Sequence, residues 1–179
     1  MNGRLEVIMG CMFSGKTSEM IRRVKRAMAI GKRVFVVNSS KDIRCEDSLQ
    51  THDKVNLKAV KFDTLSDILT LVDEYDIIAI DEFQFFSTDS QTTIHYLLCQ
   101  GKTIIVSGLD GDFKQQKFGC ITDLIPLADE VTKLTALCQY CGESAPFTKR
   151  TVVSTEQELV GASESYIAVC RKHLYSNSK

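Results

Sequence analysis

The stretch Gly10-Cys11-Met12-Phe13-Ser14-Gly15-Lys16-Thr17 limits this chain more than any other. It is a G-x-x-x-x-G-K-[ST] phosphate loop, set between the apolar run Leu5–Met9 and a helical pattern that opens at Ser18. Two glycines let backbone N–H groups turn inward around phosphate oxygens, and the helix N-terminus adds a favourable dipole. Lys16 is then expected to reach the β- and γ-phosphates of a nucleoside triphosphate, and the Thr17 hydroxyl to ligate Mg²⁺. A plain Gly-rich turn capping a helix is the competing reading; the strand before and the helix after argue against it.

With 179 residues and 44% hydrophobic content the chain can bury a real core, as one domain or one domain plus a small appendage. A net charge of −1 gives no pointer to nucleic acid. There is no membrane-length apolar run and no signal pattern, since Asn2, Gly3 and Arg4 lead straight into the first strand; a soluble cytoplasmic protein is expected. Seven cysteines without a secretory signal read as thiols or metal ligands rather than a disulfide framework.

After the loop, Met20, Ile21, Val24, Ala27 and Met28 recur at helical spacing up to a stop at Gly31. The basic run Arg22, Arg23, Lys25 and Arg26 reads as the solvated face rather than a nucleic-acid patch. Arg33–Asn38 is a second buried strand, which makes a βαβ unit and requires a parallel sheet. Ser39 to Lys54, with Asp42, Arg44, Asp47, His52 and Asp53, is polar and aperiodic, a loop at the strand ends where α/β sheets place ligands. Lys58–Phe62 is a further strand candidate. Thr64-Leu65-Ser66-Asp67 has the form of a capping box opening a helix whose Ile68, Leu69, Leu71 and Val72 face the core.

The strand Asp76–Ile80 ends in Asp81-Glu82. An acidic residue at the end of a neighbouring strand sits beside Mg²⁺ in phosphate-loop enzymes, which assigns that place to Asp81; Glu82 is placed to take a proton from an acceptor hydroxyl as general base. Phe83-Gln84-Phe85-Phe86 follows, with aromatics that either plug the core or line a pocket. Thr92–Cys99 is helical up to Gly101, and Lys102–Gly108 supplies another buried strand. The loop from Leu109 to Gly119 carries Phe113 and Phe118. Two strand-end loops thus bring aromatics to one edge of the sheet, suited to holding a nucleobase by stacking.

Cys138-Gln139-Tyr140-Cys141 and Cys170-Arg171-Lys172-His173 pair a C-x-x-C with a C-x-x-H. That donor set fits a closed tetrahedral zinc site, structural because no position is left open for substrate. The zinc would fasten the ends of the polar segment from Gly142 to Val169.

Taken together, these motifs closely resemble the type II thymidine kinases, the cellular and poxviral kind, from about Leu5 to His173. The markers are Met12–Thr17, Thr51-His52-Asp53, Ile80-Asp81-Glu82, Gln84-Phe85-Phe86, Leu109-Asp110-Gly111, Lys133-Leu134-Thr135-Ala136, Thr148-Lys149-Arg150 and Val169-Cys170-Arg171. The resemblance implies a phosphate-loop, RecA-like α/β domain over residues 1–135, its parallel sheet flanked by helices. It also implies a zinc-binding subdomain over 136–179 that carries a lasso-like substrate loop.

The implied activity is ATP-dependent phosphorylation of the 5′-hydroxyl of thymidine, with deoxyuridine as alternative substrate, a salvage route to thymidine triphosphate for DNA synthesis. Carried over position by position, Gly10, Cys11, Met12, Phe13, Ser14, Gly15, Lys16, Thr17, Arg44 and Asp81 serve ATP and its Mg²⁺, Asp42 joins Arg44 at the phosphate end, and Glu82 accepts the proton. Phe85, Phe113 and Phe118 surround the thymine, Met12, Leu109 and Thr148 lie near its methyl group, and Tyr166 lies on the closing loop. Backbone groups of Gln157, Glu158, Leu159, Val160 and Gly161 hold the base, and Cys138, Cys141, Cys170 and His173 hold zinc. The family also implies a homotetramer and feedback inhibition by thymidine triphosphate, with no nucleic-acid or membrane partner. This chain departs from the family at Cys11, where proline is usual, at Phe83, at Ala162 and across Lys114-Gln115-Gln116-Lys117.

Two other classes stand against this reading. A nucleic-acid-dependent ATPase would use the basic helix and a DNA-gripping zinc ribbon, but the near-neutral charge and the lack of a second basic stripe oppose it. A structural zinc module that merely binds nucleotide is the other.

Overall fold

Leu5, Val7 and Met9 face one side of the first strand, Arg4–Gly10 (β1), and Ile8 faces the other; all four are buried. A strand that is apolar on both faces has to lie inside a sheet covered on both sides, which is the condition for an all-parallel sheet. The computed structural model, which describes residues 3–42, 48–50, 56–152 and 165–175, has that arrangement.

Helix α1 (Lys16–Ala29) leads to β2 (Val34–Ser39), and a short antiparallel hairpin of β3 (Ser48–Gln50) and β4 (Asn56–Lys58) precedes β5 (Val60–Phe62). Then come β6 (Ile77–Ile80), α2 (Ser90–Cys99), β7 (Thr103–Gly108) and β8 (Glu130–Leu134). Six of these strands form one parallel sheet in the order β5-β2-β6-β7-β1-β8.

On one face Met20, Ile21 and Val24 of α1 pack against Ile8, Val36, Ala79 and Ile105. Each such side chain, fully buried, contributes about 1.5–3 kcal/mol. On the other face Ile94 and Leu97 of α2, with 3₁₀ turns at Leu65–Thr70, Phe83–Phe85 and Ile121–Leu127, cover Leu5, Val7, Ile78, Ile80, Ile104 and Val106. The remaining pieces are two antiparallel pairs, β9 (Ala136–Leu137) with β10 (Ser144–Ala145) and β11 (Phe147–Arg150) with β12 (Tyr166–Val169), followed by the short helix α3 (Arg171–Tyr175).

Several local expectations are corrected. Met28 is 50% exposed because it falls in the last turn of α1, past the sheet. Arg23 is not a solvated residue: its guanidinium sits between Glu6, Glu19 and Glu130, with only 12% of the side chain exposed. Thr64 makes no side-chain cap, and the segment after it is a six-residue 3₁₀ helix rather than an α-helix. With three residues per turn instead of 3.6, Leu71 comes out exposed while Leu65, Ile68 and Val72 stay inside.

Candidate active site

Because the sheet is parallel, the segments after β1, β6 and β7 all leave from the same edge. The first of them is the phosphate loop. Gly15 stands just before α1 with φ +82, a left-handed conformation that side chains other than glycine rarely adopt. Gly10 is needed for closeness instead: a Cβ there would lie 2.3 Å from the Leu134 carbonyl oxygen. Lys16 is buried, and its Nζ donates to the Cys11 carbonyl at 2.6 Å, a bond that closes the loop around the ammonium. Burial pulls the Lys16 ammonium below its ordinary pKa, against the opposing pull of the Glu82 carboxylate and, more weakly, Asp81.

Asp81 is placed by three donors. The Thr17 hydroxyl donates to its Oδ2 at 2.9 Å, the Glu82 backbone N–H to its Oδ1 at 3.0 Å, and the Ser107 hydroxyl to the same Oδ1. Ser107 can do this because β7 stands between the phosphate-loop strand and the strand that delivers Asp81. Burial, then the neighbouring Glu82 charge, pushes the Asp81 carboxyl up to about 6. Thr17 and Asp81 therefore present hard oxygens side by side at the first turn of α1, a donor set suited to Mg²⁺.

Glu82 is itself buried, with φ 52 and ψ 41, a left-handed backbone that is uncommon for glutamate and turns the chain sharply off β6. The Gln84 side-chain amide donates to Glu82 Oε2, and its carbonyl accepts the Leu109 N–H at 2.9 Å.

The aromatics divide between core and cleft. Phe83 and Phe86 are core residues. Phe85 and Phe118 meet edge to face with centroids 5.9 Å apart and planes at 88°, which brings the segments after β6 and β7 together. Phe113 is covered by the Arg150 guanidinium 3.8 Å from its centroid, and Arg150 also donates to the Tyr166 hydroxyl at 2.6 Å. Thr148 and Arg150 alternate onto the same face of β11, opposite Ala168 and Tyr166 of β12. The structure thus gathers Phe85, Leu109 and Phe118 around Gln84, and Phe113 with Tyr166 around Arg150.

Met12 and Thr148 also meet: the Met12 N–H donates to Thr148 Oγ1 at 3.0 Å. One residue earlier the Cys11 thiol donates to the Ala145 carbonyl at 3.1 Å. Asp42 is buried and accepts from the Asn38 amide at 3.0 Å. Arg44 and the run Gln157, Glu158, Leu159, Val160 and Gly161 lie outside the described residues, as does Ala162.

Cys138, Cys141, Cys170 and His173 converge, with ligand atoms all within 4.8 Å of one another. Metal–sulfur bonds of about 2.3 Å in a tetrahedron give sulfur–sulfur edges of about 3.8 Å. The Cys141 and Cys170 sulfurs are 3.8 Å apart, the length of such an edge, so the donor set suits zinc. Burial acts to raise the Cys138 thiol, but backbone N–H groups of Cys170, Tyr140 and Cys141 outweigh it and draw the thiol down to about 6, ready to ligate as thiolate.

Ser107, the Gln84 amide and the Cys11–Ala145 bond have no counterpart in the expectations from sequence. A hydroxyl at the end of a buried strand was the available signal for Ser107. Gln84 stands two residues beyond the acidic pair, and only the fold shows which way its amide points.

The thymidine kinase family model matches residues 3–174. Thymidine kinase 1 of Dictyostelium discoideum is 43% identical over 174 residues, spanning 94% of this chain and 76% of that protein. Thymidine kinase a of Arabidopsis thaliana is 41% identical over 185 residues, spanning 98% and 76%. The thymidine kinase of Myxoma virus (strain Uriarra) is 41% identical over 170 residues, spanning 95% of each chain.

Proposed function

The chain belongs to the thymidine kinase family and is an enzyme that phosphorylates thymidine with ATP; on that premise we propose that the acceptor is the 5′-hydroxyl and that Glu82 takes its proton. The observation that carries the assignment is the pairing at one sheet edge. Asp81 is tied to Thr17 of the phosphate loop, and Glu82, the next residue, is turned away from β6 and held by Gln84 beside the Phe85–Phe118 pair.

In this reading backbone N–H groups from Gly10 to Thr17 and the Lys16 ammonium bind the phosphates, and Arg44 with Asp42 serves the same end. Magnesium, when bound, neutralises charge developing on the phosphates, and Thr17 and Asp81 would hold it. Glu82 orients the hydroxyl and removes its proton. Phe85, Phe113 and Phe118 enclose the base, Met12, Leu109 and Thr148 surround its methyl group, Tyr166 borders the pocket, and backbone groups of Gln157 to Gly161 close it. Deoxyuridine is the alternative substrate.

Zinc held by Cys138, Cys141, Cys170 and His173 supplies a structural clamp. The division into 1–135 and 136–179 is supported by the packing: a third apolar cluster draws on Ala136, Cys138, Ala145, Ala168 and Val169, and Cys11 alone joins it from the larger unit among its buried members. The reading extends to a homotetramer, feedback inhibition by thymidine triphosphate, a cytoplasmic location, and no nucleic-acid or membrane partner. Among the described residues no helix is long and apolar enough to cross a membrane.

Incubating the purified chain with ATP and Mg²⁺, and with thymidine, with DNA or with neither, tests the reading. Thymidine-dependent ATP consumption with formation of the 5′-monophosphate is expected; consumption that follows DNA instead would overturn it.

A further inference from the structure

Gln84 is 3% exposed and lies between two backbone walls. A Cβ on Gly108 would come within 2.6 Å of its Oε1, and a Cβ on Gly119 within 2.2 Å of its backbone oxygen. Gly108 thus sets the room for its amide and Gly119 the room for its backbone, each at an end of the loop that carries Phe113 and Phe118. Within that space the amide has one orientation. The Leu109 N–H is a donor and faces Oε1 at 2.9 Å, so Nε2 has to point the other way, where it donates to Glu82 Oε2. A glutamine is the residue this requires: an acceptor on one side, a donor on the other, in a fixed plane.

We infer that Gln84 is the positioning residue for Glu82, aiming its carboxylate by a hydrogen bond whose direction is set by the Leu109 backbone N–H. Glu82 is itself the left-handed residue that turns the chain off the end of β6, so the direction of its carboxylate is not set by the strand. The same amide makes Leu109, placed beside the thymine methyl, and Glu82, placed at the 5′-hydroxyl, two ends of one hydrogen-bonded unit. Seating of the base and aim of the carboxylate are thereby linked through a single side chain. This inference rests on Glu82 as proton acceptor, so its test keeps the two claims apart.

The test compares Gln84→Glu and Gln84→Met with the parent and with Glu82→Gln at about pH 8, measuring kcat, both KM values and thermal melting. Gln84→Glu keeps an acceptor for the Leu109 N–H, loses the donor to Glu82 and sets a second carboxylate against it, so Gln84→Met is the uncharged control. Gln84→Met keeps the volume and loses both. A positioning role predicts that both variants lose kcat about ten- to a hundredfold while the KM for ATP stays within about twofold, because a small misplacement of a reacting group is enough for such a loss. A purely structural Gln84 predicts a different pattern: both variants melt lower but keep a kcat close to the parent's when assayed well below their melting temperatures.

Gly108→Ala is the variant to use if both Gln84 replacements fail to fold. Its methyl group displaces the amide oxygen without altering either partner, and it should reproduce the kcat loss. Parent-like kcat in Gln84→Glu, or in Gly108→Ala where that is the folded variant, overturns the inference. If Glu82→Gln turns over normally, the acceptor reading falls and this inference with it. If Glu82→Gln is inactive and Gln84→Glu is not impaired, only the inference about Gln84 falls.

Discussion

The Thr17 hydroxyl donates to the Asp81 carboxylate across 2.9 Å, joining the first turn of α1 to the end of β6 over 64 residues of sequence. Ser107, from the strand between them, holds the other oxygen of the same carboxylate. A carboxylate held by two hydroxyls and a backbone N–H in a buried site is in the right place for a cation and is short of positive charge without one.

That shortage has a pH signature. With the folded-state value raised to about 6 from 3.8, Asp81 contributes stability that is fully present below about pH 3.8 and lost as pH rises through about 6. In metal-free buffer Asp81→Asn should therefore raise stability near pH 7.5 by about 1–3 kcal/mol, and the gain should shrink towards pH 4. Asparagine keeps an oxygen for Ser107 and offers an amide to Thr17, so the packing survives the change. Thermal melting of both proteins across this range checks it; a loss of stability independent of pH would contradict the burial argument. The variant should also lose magnesium-dependent turnover.

The phosphate loop was legible in the sequence; the β11–β12 pair that it touches was not, and only the family resemblance put Met12 and Thr148 in one place. Gly10, Gly15 and the apolar period after Lys16 dictate strand, loop and helix locally, and the two-residue spacings of Cys138 with Cys141 and of Cys170 with His173 announce a metal site on their own. The bonds from Met12 N–H to Thr148 and from Cys11 to Ala145 span 136 and 134 residues, and no local pattern encodes them. Met28 and Leu71 mark the opposite failure. There the apolar spacing ran into the last turn of one helix and, across a tighter one, to the residue just after its end, so periodicity assigned both to a buried face that does not reach so far. Glu82 shows a third kind: the acidic pair is plain in the sequence, but its left-handed backbone is visible only in the fold.

Thr148→Val should expose the contact between the phosphate loop and β11. It removes the acceptor for the Met12 N–H in a buried position, which costs about 1–3 kcal/mol when the donor is left unsatisfied. Lower melting and weaker ATP binding are expected, with Thr148→Ser close to the parent. Calorimetric titration with ATP checks it, and unchanged affinity in the valine variant would show that the loop does not depend on this anchor.

Metal content gives an independent check on the cluster of Cys138, Cys141, Cys170 and His173. About one zinc per chain is expected in carefully purified protein, as for a closed four-ligand site. His173→Ala should lose it and melt several degrees lower, since metal affinity at such sites is also folding free energy. Cys138, one of the four clustered Cys and His residues, belongs to the same apolar cluster as Cys11 of the phosphate loop, so the variant should also bind ATP less tightly. Metal-free parent protein with parent melting would remove the clamp from the account.

The proton acceptor is the centre of the account, and single-turnover and steady-state transfer of labelled phosphate from ATP to thymidine measure it directly. The parent should form the 5′-monophosphate, and Glu82→Gln should lower kcat by about 10²–10⁴-fold while the KM for thymidine changes little. Turnover by Glu82→Gln within a few-fold of the parent would contradict the account.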